Sequence, residues 1–280
     1  MAQTVFKTKE GQKEIQKECR KLYKKWPVNN QGRIIQTPYG DTYIIESGNP
    51  EKESLLLLHG SSSNSASWME EAKLLSQKYH VVAVDLPGEP GLSSANRLPL
   101  EGMEISQWIE SLIDILHIKQ IHLIGMSLGG YYALRFASAR PERVRSVFLI
   151  ASSGLAKPKM TFLLKSLPFL FFGKWGIRRI YRILYGGGNA PEEVIDFGRI
   201  VMKHFNPITE TVPVLSSREL KKLHMPVEYI GGLHDVMIST TESATRLKNL
   251  IPNATYYIFP DKGHVITGQA DRILSFLKRA

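Results

Sequence analysis

The chain has 280 residues, 43% apolar and 22% charged, an ordinary composition for a globular protein with ample core for one α/β domain and an insertion. Its single cysteine, Cys19, excludes an internal disulfide framework and suits a reducing compartment. The net charge of +10 is uneven: residues 1–33 carry +6 and residues 155–215 carry +5, leaving −1 elsewhere. With no RNA-binding or helix-turn-helix motif, that excess reads as solvated helix faces, and nucleic acid is not an expected partner.

No apolar signal segment opens the chain, and no stretch approaches the roughly 20 apolar residues of a membrane span, so the expected location is the cytoplasm. Residues 8–25 read as a charged helix ending before Pro27, with Ile15, Cys19 and Leu22 as its inner face. Strands are expected near 33–37 and 41–47, joined by the hairpin-like turn Pro38-Tyr39-Gly40-Asp41. Further strands are expected near 54–58, 80–85, 120–125, 144–151, 226–231 and 255–260, several of them unbroken runs of Val, Ile and Leu. Helical patterns at about 66–78, 101–116, 128–139, 240–250 and 270–279 alternate with them, which implies a doubly wound, mostly parallel α/β sheet. A site in such a sheet lies at the carboxyl ends of the strands.

One interval breaks the alternation. Over seventy residues separate the strand ending near Ala151 from the one starting near Pro226, too many for a structureless loop. They contain the apolar run Phe162–Phe172, interrupted by Lys165 and Pro168, then a basic amphipathic segment around Trp175–Tyr185. Gly186-Gly187-Gly188 follows, then a helix near 191–204.

Four motifs stand at strand ends. Gly125-Met126-Ser127-Leu128-Gly129 follows an apolar strand and precedes a helix, the context in which a serine hydroxyl is pushed out of a sheet on a sharp turn. His59-Gly60-Ser61 follows Leu55–Leu58, Asp235 follows Val227–Ile230, and His264 follows Thr255–Phe259. The order Ser, Asp, His is that of the α/β-hydrolase solution to the Ser-His-Asp problem. With Asp85-Leu-Pro-Gly-Glu-Pro-Gly-Leu-Ser93 matching that family's Asp-x-x-Gly-x-Gly-x-Ser loop, the chain from about Arg33 onward resembles the α/β-hydrolases, small bacterial carboxylesterase-like members above all.

The resemblance implies an eight-stranded sheet with residues 31–154 and 216–280 as core, 155–215 as a mostly helical lid, and 1–30 as a helical extension. It implies a catalytic Ser127, Asp235 and His264, with the backbone N–H groups of Ser61 and Leu128 as oxyanion donors. The expected partner is a small-molecule ester, hydrolysed through an acyl-serine without cofactor or metal, since no His/Cys/Glu cluster has ligand spacing. Leu163, Leu164, Leu167, Phe169, Leu170, Phe171 and Phe172 are expected to bury themselves, several of them lining an acyl-binding pocket above Ser127, with Phe169 and Phe171 as substrate-binding residues. A membrane-surface role for the same run is the less favoured reading.

Other residues have plainer expectations. His59 is expected to hydrogen-bond within its turn, His122 to pack in its strand, and Asp85 to anchor its own loop. Asp261, three residues before His264, is a rival triad acid, but the family pattern puts that acid after the preceding strand and so favours Asp235. Carbon–carbon hydrolases of ring-cleavage type remain an alternative, weakened because Val265 and Ile266, not tryptophan, follow His264. A low-turnover small-molecule receptor of the same fold is the other.

Overall fold

Aliphatic runs pair into one eight-stranded sheet in the computed structural model, which describes residues 4–159 and 161–280. The strands are β1 (Asn30–Thr37), β2 (Gly40–Ser47), β3 (Ser54–Leu58), β4 (His80–Val84), β5 (Ile121–Met126), β6 (Val144–Ile150), β7 (Val227–Gly232) and β8 (Ala254–Phe259). Their spatial order is β1-β2-β4-β3-β5-β6-β7-β8. The β1–β2 and β2–β4 pairs are antiparallel, and every pair from β4–β3 to β7–β8 is parallel.

Period-two alternation splits the central strands between two cores. Leu56, Leu58, Val82 and Val84 pack on one face with Trp108, Leu112, Leu134 and Phe136. Leu55, Leu57, Val81 and Ala83 pack on the other with Ile15, Leu75, Ile273 and Phe276. Because both faces are covered, every residue of β3, β4 and β5 is buried, and apart from Ser54, His80 and His122 their sequences are apolar rather than alternating.

The helices are α1 (Lys9–Tyr23), α2 (Met69–Leu75), α3 (Glu104–Ile115), α4 (Leu128–Ala139), α5 (Thr161–Ser166), α6 (Gly173–Leu184), α7 (Glu192–His204), α8 (Ser217–Leu220), α9 (Thr240–Leu250) and α10 (Ala270–Leu277). The helix expected over 66–78 divides. Asn64 accepts the Ala66 N–H and starts a 3-10 turn over Ser65–Trp68 before α2 begins. The inner face of α1 is Gly11, Ile15, Cys19 and Tyr23, with Tyr23 rather than Leu22 completing the i, i+4 row.

Helices α5, α6 and α7 lie in the long β6–β7 interval, with a 3-10 turn over Leu167–Phe171 between α5 and α6. The chain before α1 ties to the end of this insertion: Phe6 bridges to Phe205, and the Asn206 N–H donates to Val5 O at 2.9 Å. The sequence expectations for residues 1–3, and for the side chains of Leu163 and Leu170, lie outside the described residues.

Candidate active site

Ser127 sits between the end of β5 and the start of α4 with φ 50° and ψ −112°, a conformation costly for a residue bearing a Cβ. Its backbone is held from both sides. The Ser127 N–H donates to Ile150 O at 2.9 Å, and Ser127 O accepts from Tyr131 and Ser153 at 3.2 and 3.1 Å. The crowding around this turn requires its glycines. A Cβ on Gly125 would come within 2.5 Å of Gly129 O, and one on Gly129 would collide with the backbone carbonyl of Leu58.

Three residues far apart in sequence converge here. His264 Nε2 lies 3.0 Å from Ser127 Oγ, and His264 Nδ1 lies 2.8 Å from Asp235 Oδ2. Ionised Asp235 can only accept, so Nδ1 carries the proton and Nε2 faces the serine hydroxyl as acceptor. Asp235 Oδ1 accepts from the Met237 and Ile238 N–H groups at 2.7 and 2.9 Å. Burial alone would raise the pKa of Asp235. The His264 charge and hydrogen bond, with those two amides, outweigh it and leave the carboxyl below its usual range. His264 and Asp235 are buried while Ser127 is half-buried, so the hydroxyl is the reachable end of the row.

The turn after β3 closes on the same point. A Cβ built on Gly60 would lie 3.4 Å from Ser127 Cβ. Among the described residues, the backbone N–H groups of Ser61 and Leu128 donate to no protein acceptor. His59 holds this turn: its Nε2 accepts the Leu86 N–H at 2.9 Å, so its Nδ1–H donates to Gly60 O at 2.7 Å. Burial lowers its pKa, which keeps the ring neutral and structural.

Asp85, fully buried, does more than anchor its own loop. It accepts from Leu92 N–H at 2.7 Å, from Ser65 N–H at 2.9 Å, and from the Tyr23 hydroxyl of α1 at 2.7 Å. Cys19 is buried beside it, with Sγ 3.4 Å from Pro90 O, and burial raises its thiol well above the ordinary range. His122 packs in β5 against Ser146 Oγ at 2.7 Å. Asp261 is exposed beside Lys262, His234 is exposed, and neither meets His264 in a hydrogen bond.

One residue was not singled out by sequence reasoning. Glu89, buried in the loop after β4, accepts the Ser62 N–H at 2.5 Å and bonds the Ser61 hydroxyl. It thus holds the turn that carries the Ser61 N–H, where Ser62 has φ 57°. Burial pushes its carboxyl up to about 7 against the opposing pull of those bonds and Arg97. Its place inside the Asp85–Ser93 loop motif is the one sequence signal it carries, and that motif does not say which way the carboxylate faces.

The apolar run of the insertion corrects an expectation. Leu164, Leu167, Phe171 and Phe172 are 72%, 51%, 85% and 59% exposed rather than buried above Ser127. Phe169 is half-buried, its ring 5.8 Å from that of Trp175. The Leu167–Phe171 turn is the physical reason. This short 3-10 segment, with Pro168 as its second residue, spreads its side chains around the axis, so Leu167 and Phe171 cannot turn to one side with the rest of the run. The insertion nevertheless grips the site's loops: the Lys159 ammonium donates to Asp235 O at 2.9 Å, and the Val265 N–H donates to Leu184 O at 3.1 Å. Among the described residues, no group of three His, Cys, Asp or Glu side chains could hold a metal ion.

The arrangement can transfer a proton from a hydroxyl to an imidazole backed by a buried carboxylate. Known proteins resemble the chain in sequence and fold. The alpha/beta hydrolase family model matches residues 55–276. The chain is 28% identical over 259 residues to the uncharacterized carboxylesterase nap of Bacillus subtilis, covering 86% of this chain and 83% of that protein. It is 25% identical to carboxylesterase YbfK of the same organism, covering 90% and 89%. The crystal structure of naproxen esterase (carboxylesterase NP) from Bacillus subtilis superimposes with a TM-score of 0.84 at 22% identity, covering 97% of this chain and 99% of that one. The chain belongs to the alpha/beta hydrolase family.

Proposed function

We propose that the protein is a serine hydrolase that cleaves a carboxylic ester through an acyl-serine intermediate. The observation that carries this reading is the unbroken row Ser127 Oγ, His264, Asp235, with contacts of 3.0 and 2.8 Å, mounted on a strained strand-to-helix turn. The carboxylesterases nap and YbfK, matched over most of their length, support the ester as substrate class.

In this reading His264 Nε2 takes the Ser127 proton as Oγ bonds to the ester carbonyl carbon. The resulting oxyanion accepts from the Ser61 and Leu128 N–H groups, each such donor contributing roughly 3 kcal/mol in the transition state. When the carbon–oxygen bond breaks, the protonated imidazole gives its proton to the departing alkoxide. Water then repeats the sequence: His264 takes its proton, the acid leaves, and Ser127 regains its hydrogen. Asp235 fixes the imidazole tautomer and stabilises the imidazolium.

Residues 155–215 act as the lid in this account, supported by the contacts of Lys159 with Asp235 and of Leu184 with Val265. Phe169 is the member of the apolar run proposed to meet the acyl chain, because it is partly withdrawn from solvent. The single cysteine fits a cytoplasmic protein. Turnover of p-nitrophenyl esters of several acyl lengths tests the reading. Wild type should turn over steadily with a preferred length, and Ser127→Ala should lose at least about 10⁴ in kcat with its fold intact. Binding of the esters without steady turnover would instead support a receptor.

A further inference from the structure

Residues 155–191 contain seven Lys and Arg and no Asp or Glu. Lys174 and Arg178 are neutralised by Glu192 and Asp196 of α7, and Lys159 is bonded to Asp235 O. Lys157, Lys165, Arg179 and Arg182 are exposed, with no carboxylate partner among the described residues. The same stretch displays Leu164, Leu167, Phe171, Phe172 and Trp175, all between 49% and 85% exposed. Soluble proteins rarely leave so many large apolar side chains together in water.

Helix α6 sorts these groups by face. Gly176, Ile177 and Ile180 are buried against the protein. Trp175, Arg179 and Arg182 follow i, i+4, i+7 along the opposite side, with the Arg179 guanidinium 5.0 Å over the Trp175 ring. Phe172 packs edge-on to the same indole at 5.6 Å. Aromatic and leucine side chains bordered by unpaired cations, with no anion among them, match the headgroup boundary of a negatively charged leaflet. The rings enter the acyl edge and the cations meet the phosphates. A neutral apolar partner or a basic protein would leave those cations desolvated or opposed.

We infer that the 164–182 surface of the insertion docks the protein reversibly on anionic membranes. The inference stands independently of the ester reading. If both hold, the contact of Leu184, at the end of α6, with Val265 beside His264 links the docked segment to the catalytic loop, and amphiphilic esters are the favoured substrates.

Co-sedimentation of the full chain with vesicles tests this, using phosphatidylcholine alone or in equal parts with phosphatidylserine. Binding is expected only to the mixed vesicles, and should fall steeply as ionic strength rises from about 0.1 M to about 1 M and the screening length shrinks. Each cation near such a surface strengthens binding about fivefold, so Lys165→Glu with Arg182→Glu should lower the partition coefficient at least about tenfold. Leu164→Ser with Phe172→Ser should lower it comparably, and both pairs should keep the wild-type thermal midpoint. Three results would overturn the inference: no binding to mixed vesicles at low salt, equal binding to both compositions, or binding that neither pair weakens. A concentration-dependent dimer abolished by Leu164→Ser with Phe172→Ser, without vesicle binding, would assign the surface to a second copy instead.

Discussion

Asp235 has two jobs set by its two oxygens. Oδ1 is fixed by the Met237 and Ile238 amides, which leaves Oδ2 aimed at His264 Nδ1. An asparagine would keep the shape but lose the charge that supports a protonated imidazole. Asp235→Asn should therefore lower kcat for p-nitrophenyl esters by about 10⁴. Asp261, exposed beside Lys262 at 3.7 Å, lacks any such geometry, and Asp261→Asn should stay close to wild type. A larger loss from Asp261→Asn would move the acid to that residue. At this scale the strand-end motifs made Ser127, Asp235 and His264 legible, because a turn after a buried strand leaves few side chains able to reach the cleft. Glu89 was not legible. Nothing in its neighbours' identities says that a loop carboxylate will be folded inward against the Ser61–Ser62 turn.

The loop between β4 and α3 therefore carries a titrating group that the element reading treats only as a family motif. Its pH signature has a definite sign. Burial raises Glu89 from 4.5 to about 7, so its folded value exceeds its unfolded one. Such a group contributes stability that is fully present below about 4.5 and is lost as pH rises through about 7. Thermal midpoints measured from pH 5 to pH 8 should fall in wild type relative to Glu89→Gln, which keeps the polar contacts and removes the titration. Parallel midpoint curves for the two proteins would contradict this. Elsewhere, the elements were legible where period and length agree. β3 and α9 fall at their expected bounds, because aliphatic strands and i, i+4 rows are unambiguous. Helix α8 was missed at four residues, although Ser216 and Glu219 form a capping box whose spacing was readable. Burial of the 162–172 run was misjudged because hydrophobicity alone does not say which side chains a 3-10 turn leaves facing water.

Across the whole molecule, the sheet order explains why distant residues meet. β3, β5, β7 and β8 run parallel to one another from the middle of the sheet to its β8 end, so the turns after them lie along one side, and Ser61, Ser127, Asp235 and His264 all follow those strand ends. The antiparallel β1–β2 pair lies at the opposite end of the sheet from β8, while α1 packs beside the insertion and is tied to the end of β4 through Tyr23 and Asp85. The most direct test of the central claim is intact-mass and peptide analysis after a fluorophosphonate probe, which forms a bond from an activated serine oxygen to phosphorus and releases fluoride. Wild type should gain one probe, mapped to the peptide containing Ser127, while folded Ser127→Ala gains none. Equal labelling of the two proteins, or ester turnover by a wild type that the probe leaves unmodified, would contradict Ser127 as the nucleophile.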